Sequence, residues 1–257
     1  MLEAIKFFFI NKYYIEQEGM DVGFSLYSAP HLIWLALMTL MIAFIACSYC
    51  RSDEAGRDRL RKFIAIAMVA MELLKDLVVT VTGWWNPGYL PFHLCGLAIF
   101  AVLADAFWRK QKVSGQMILF AFMPGALSAL LFANWTMYPF YVYMSIHSFV
   151  YHALIVAYAV MTFVSREVKP SYRGLWLTLL SVVIAIGPVY GINLIFAEHN
   201  PNFMFLMEAS PGSPLVPVWN LTGPDWYIPG CVAMVGIVFH VLFVVYKGIE
   251  KCLGRKV

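Results

Sequence analysis

Charge is scarce in this sequence: 13% of its residues are Asp, Glu, Lys or Arg, against about 25% in soluble domains. With 61% hydrophobic residues, that scarcity excludes a water-soluble core of this size. Long polar stretches are missing as well. Seven apolar segments of roughly 20 residues, with short connections, use up the 257 residues and leave no room for a separate soluble domain. A disulfide framework is also absent. Of Cys47, Cys50, Cys95, Cys231 and Cys252, only Cys47-Ser-Tyr-Cys50 has a two-residue spacing, with no second pair, and three of the five fall on the expected cytosolic side, where disulfides are disfavoured. The short apolar run Phe7 to Ile10, flanked by Glu3 and Lys6, is too small for a cleavable signal. The reading is an all-α polytopic membrane bundle, one domain over residues 1–257.

The charge that is present is placed with strong bias. Of 18 Lys and Arg, 15 fall in four short segments: Arg51 to Lys62, Arg109 to Lys112, Arg166 to Arg173 and Lys247 to Lys256. Basic residues gather in cytosolic connections, so the pattern predicts seven passes with the N-terminus outside and the C-terminus in the cytosol of a multi-pass cell-membrane protein. A nucleic-acid footprint would need these charges on one folded surface, so no nucleic acid is expected. The predicted spans are Pro30 to Cys50, Phe63 to Trp85, Tyr89 to Trp108, Val113 to Ala133, Pro139 to Val164, Gly174 to Ala197 and Trp226 to Lys247. Trp84, Trp85, Trp135, Trp226 and Tyr227 would mark the outer rim, with Trp108 and Trp176 at the inner one. Residues 1–29 suit an outer interfacial segment. The proline-rich connection 198–225 suits a lid or re-entrant cover. Pro124 and Gly187-Pro188 fall mid-span, where each should bend its helix and free a backbone carbonyl.

Ionisable residues inside spans carry the functional signal, because a charge at the bilayer centre costs about 2.5–3.5 kcal/mol. Glu72, Lys75 and Asp76 share one face of span two. Two acids and one base leave a surplus negative charge, which calls for a proton, a cation or a histidine. Helical rise places His93 and Cys95 roughly 6–9 Å below the outer surface, His147 and Asp76 about 12 Å and Glu72 about 18 Å. Asn193 falls in the same layer and His152 lies one turn beyond His147. Cys95, His147 and a carboxylate supply the residue types of an activated nucleophile, its base and an orienting group. On a regular helix His93 and Cys95 would point about 200° apart, so both face one pocket only if Pro91 makes the start of the span irregular. His147 and His152 are about 140° apart, poor geometry for a shared metal; neither a metal nor another cofactor is expected. His31 and His240 read as structural.

Leu90-Pro91-Phe92-His93-Leu94-Cys95, Pro124 to Ser128, His147 after an aromatic stretch, Asn193, Asn202-Phe203-Met204 and Asp225-Trp226-Tyr227 occur in order along the chain. In these motifs the sequence resembles the YwaF-like bacterial membrane proteins, relatives of the animal transmembrane protein 164 family, over roughly residues 60 to 245. The resemblance implies membrane-embedded acyl transfer between phospholipids through a cysteine and a histidine, with His147 in the family histidine's position. Where the animal pattern has its cysteine, directly before the residue matching His93, this chain has Phe92. Cys95 is then the candidate nucleophile, His147 the base, His93 an orienting or oxyanion group, and Glu72 or Asp76 the partner that sets the histidine charge. Membrane lipids are the expected partners. The alternative reading is a proton- or ion-coupled transporter using Glu72, Lys75 and Asp76; a non-catalytic lipid-binding or assembly protein is a third.

Overall fold

The computed structural model describes residues 7–108 and 112–254, so Glu3, Lys6, Arg109, Lys110, Arg255 and Lys256 lie outside the described residues. Among the described residues there are helices and turns but no strand. A short helix α1 (Lys12–Gln17) precedes seven longer ones: α2 (Ala29–Arg51), α3 (Glu54–Val81), α4 (Leu94–Phe107), α5, α6 (Tyr143–Val164), α7 (Tyr172–Ile195) and α8 (Val216–Gly254). The fifth, α5, is composite: α-helical Lys112–Met117, a π turn Ile118–Phe122, then α-helical Met123–Leu131. Five helices are long and apolar enough to cross a membrane, namely α2, α5, α6, α7 and α8. The shorter α4 is apolar but spans only about 21 Å. In α3 the apolar character is diluted by charge.

Each helix has a local cause. Pro30 stands in the first turn of α2, where its missing N–H is no loss. The Asp53 side chain caps α3 by accepting the Gly56 N–H at 2.8 Å. Arg61, Ile64, Ala65, Met68, Lys75 and Val79 form the buried face of α3, while Phe63, Ile66, Leu73, Leu77 and Val81 are exposed. An apolar outer face with charges turned inward inverts the soluble pattern and fits hydrocarbon surroundings.

Pro124 explains the π turn. Within it the Met123 N–H bonds the Ile118 carbonyl, five residues back, so it bypasses Leu119; Pro124 has no N–H to offer. The Leu119 carbonyl left over accepts the Tyr246 hydroxyl of α8 at 2.9 Å. The freed carbonyl expected from a mid-span proline is thus found, and it is used to tie two helices together.

Helix α6 is the axis of the bundle: it is far more deeply buried than α2, α7 or α8. Phe149 on α6 stacks on Trp34 of α2 at 5.0 Å. His31 anchors the same helix to α5. Its Nδ1 accepts the Tyr27 N–H at 2.9 Å, so its Nε2 carries the proton and donates to the Leu130 carbonyl at 2.9 Å. His240 bonds the Gly236 carbonyl and the Tyr172 hydroxyl. Both histidines thus hold hydrogen bonds within the protein.

Prolines shift the helix starts inward from the expected spans. Helix α4 begins at Leu94 rather than Tyr89, and α6 at Tyr143 rather than Pro139. The connection expected over 198–225 is partly helical. It holds two 3₁₀ turns, Ala197–His199 and Phe203–Phe205, and α8 starts at Val216 before breaking at Gly223, whose φ of 69° lies in the left-handed region. The five cysteines are free.

Candidate functional site

The polar cluster is built first by α3. Glu72 and Lys75 are one turn apart, and the Lys75 ammonium donates to the Glu72 carboxylate and, at 3.2 Å, to the Tyr89 carbonyl. It also pairs with Asp76 at 3.3 Å. Lys75 therefore engages both carboxylates. Across from it on α6, His147 Nε2 lies 3.8 Å from the second Glu72 oxygen. That is ion-pair distance, beyond a hydrogen bond. His147 Nε2 and Asp76 Oδ1 are buried without a hydrogen bond. Glu72 thus meets both Lys75 and His147, while Asp76 joins the cluster through Lys75.

The irregular start of α4 brings in the next two residues. Asn86 caps a 3₁₀ turn at Pro87–Tyr89, and Pro91 follows. His93 is the extended residue before the helix, at φ −70° and ψ 156°. A Cβ on Gly96 would sit 2.7 Å from the Pro91 carbonyl oxygen, so glycine permits this tight fold-back. His93 and Cys95 consequently line the same cavity, the outcome a regular helix would forbid.

That cavity encloses about 1040 Å³, and its polar lining includes Lys12, Glu72, Lys75, His93, Cys95, His147 and His152. Its volume is at the top of the roughly 300–1,000 Å³ range of small-molecule sites. Asp76 and Asn193 do not line it. Both polar ends of the Asn193 amide are committed to the backbone of Phe203: Nδ2 donates to its carbonyl at 3.1 Å and Oδ1 accepts its N–H at 2.7 Å. Asn193 thus fixes the cover. Phe203, fully buried, packs edge-on against Phe92 and His93, and Phe205 also meets the His93 ring. The segment holds its shape with Asn200, Asn202, Met204 and Phe205 at positive φ, a strained conformation for side-chain-bearing residues. Residues before α2 close the same end: Asn11 donates to the Tyr89 hydroxyl at 2.6 Å, and the Phe24 N–H bonds the Thr136 carbonyl at 2.8 Å.

His152 has a defined tautomer. Its Nδ1 lies 2.7 Å from the Ser148 carbonyl, which can only accept, so Nδ1 carries the proton and Nε2 keeps the lone pair. Two aromatic residues join the site without having been singled out. Tyr151 stacks on His147 at 5.4 Å and donates to the Cys95 carbonyl at 3.1 Å; the i, i+4 spacing on α6 was the available signal. Trp135, expected at the outer rim, is buried and stacks on His152 at 5.0 Å. Tyr227, another expected rim residue, is also buried. Among the described residues no hydrogen bond joins the Cys95 thiol to a histidine, and no group of three His, Cys, Asp or Glu could hold a metal ion.

The TMEM164 family profile matches residues 26–244, which takes in α2 to α7 and most of α8. The chain belongs to the TMEM164 family. It is a helical membrane protein of that family, and the matched stretch contains every residue of the polar cluster and both cover-forming aromatics. No curated protein and no solved structure matches this TMEM164 family member.

Proposed function

We propose that this protein is a cell-membrane enzyme that transfers or hydrolyses lipid acyl chains, with α2 to α8 all crossing the bilayer. In this reading α3 and α4 complete seven passes, the N-terminus faces outside and the C-terminus lies in the cytosol, consistent with the basic connections. The observation that carries the reading is the composition of one cavity. Its polar wall bears Glu72, Lys75, Cys95 and His147, while Leu179, Val183, Val235 and Val238 of α7 and α8 supply apolar lining. A ligand with a polar ester and a hydrocarbon body matches both walls. No residue of the basic segments 51–62 or 166–173 lines it, which favours a chamber over a path through the membrane.

The chemistry proposed is a two-step acyl transfer. The Cys95 thiol gives its proton to His147 and attacks the ester carbonyl carbon; the carbon–oxygen bond breaks, the departing alcohol takes the proton, and a thioester remains. A second alcohol, or water, then attacks the thioester and restores the thiol. Glu72 stands where it would orient the His147 ring and balance its charge, with Lys75 holding Glu72 in place. Catalytic hydrogen bonds are often long or poorly aligned without substrate, so the absence of a thiol–histidine bond does not exclude these roles.

The test is mass spectrometry of phospholipids incubated with the purified protein. Acyl exchange or release is expected in wild type and lost in His147→Ala and Cys95→Ala. Unchanged exchange in both variants would remove these residues from their roles. The surplus carboxylate at Asp76 favours one other reading, an ion-coupled transporter. Wild type without exchange, together with proton or cation flux into liposomes that Asp76→Asn abolishes, would establish that instead.

A further inference from the structure

A second hollow adjoins the cavity. It encloses about 390 Å³ between α4, α5 and α7 and shares Leu94, Val182 and Met204 with the larger chamber. Along α4 it runs from Leu94 to Ala104, about 15 Å at helical rise. That equals one leaflet of a hydrocarbon core about 30 Å thick. Its rim includes Phe100, which is 61% exposed, so the groove opens sideways.

The groove makes no polar demand on an occupant. Its two hydroxyls are spent within the protein: Ser181 donates to the Leu177 carbonyl at 2.8 Å, and Ser114 to Asp105 at 3.3 Å. The polar demand lies at the other end, in the chamber, where His147 is 7% exposed and its Nε2 has no hydrogen-bond partner. Apolar channel and polar chamber meet at Leu94 and at Met204 of the cover.

We propose that this groove seats one acyl chain of a phospholipid, with the ester reaching past Leu94 and Met204 into the chamber and the chain end lying near Ala104, Val113 and Ser114. This rests on reading the chamber as a lipid site and adds where the chain runs and which end leads. A phospholipid is favoured over a free fatty acid because the groove lies open to the bilayer side. The chamber also has far more volume than a carboxylate needs.

The test uses the full chain in phosphatidylcholine nanodiscs carrying a trace of phosphatidylcholine with a photoactivatable diazirine on one chain, either near the carbonyl or near the methyl end. Crosslinked peptides are mapped by mass spectrometry. The carbonyl-proximal probe is expected to label Leu94 and Met204, and the methyl-proximal probe Ala104, Val113 and Ser114. Each should exceed labelling of the exposed α8 residues Ile237 and Val244 several-fold. Ala185→Phe, which fills the groove, should abolish that excess while leaving labelling of α8 unchanged. Uniform labelling of all lipid-facing surfaces, no depth order, or enrichment with a diazirine fatty acid alone would overturn the proposal. Because labelling needs no turnover, an ordered pattern without acyl exchange would refute the enzymatic step and leave the chain seat standing.

Discussion

Two buried charge clusters sit at opposite ends of α3, and they differ in one respect that matters. At the basic end Arg61, 2% exposed, donates to Tyr49 and to Glu167 at 3.0 Å and pairs with Asp58 at 3.1 Å. Arg57 adds a pair to Glu167 at 3.5 Å and bonds the Tyr49 and Cys50 carbonyls. Arg61 Nε is also buried without a hydrogen bond, but none of these residues lines either cavity described above. The other cluster has an excess of carboxylate, an imidazole nitrogen without a hydrogen bond, and a chamber beside it. Burial of charge alone therefore does not mark function. The first cluster staples the α2–α3 turn to the α6–α7 turn; the second keeps polar groups unspent next to empty space.

The largest effect should come from breaking the staple. Arg61→Met leaves Glu167 short of its main partner, and such a loss costs about 3–5 kcal/mol. Thermal unfolding in detergent should show it, with normal acyl exchange per folded molecule. Lys75→Met in the hollow cluster strands two carboxylates, and about 2 kcal/mol is expected. Adding Glu72→Gln should recover at least half of that stability without restoring activity. If the double variant instead sums the single losses, Lys75 and Glu72 are not coupled.

His147→Gln should abolish exchange while changing stability by less than about 1 kcal/mol, because Nε2 has no hydrogen bond to lose. A large loss of stability would move His147 into the structural class with Arg61. The smallest effect belongs to Asp58→Asn. The Lys62 ammonium, 2.7 Å away, holds the Asp58 carboxyl below its ordinary value. Its stabilisation is thus present above the usual carboxylate range and fades as pH falls through the lowered value. Exposure keeps it small, so wild type and variant should melt alike at neutral pH.

Much of the helical framework and part of the site were legible in the residues. Apolar runs and basic clusters located the helices, and helical rise placed Asp76 and His147 at one level with Glu72 about one turn deeper. The proline after Leu90 pointed to the irregular turn that lets His93 and Cys95 share a cavity. What stayed hidden depends on contacts distant in sequence. Asn193 looked like a member of the polar layer, yet its amide is spent on the Phe203 backbone ten residues on. The burial of Trp135 rests on ring contacts with His152 and Phe149, both on α6. The cover itself uses left-handed Met204 and Phe205, a conformation no propensity scale assigns to them.

The π turn in α5 has a geometric consequence. A five-residue turn contains one more residue than the α pattern needs, so everything after it is rotated by about 100°. Gly125, Ser128, Ala129 and Phe132, which follow it, face the chamber in that shifted phase. Trimming a single residue from Ile118–Phe122 would swing this wall round toward the lipid, although none of its side chains had been altered. The shape of the chamber is written partly in a count.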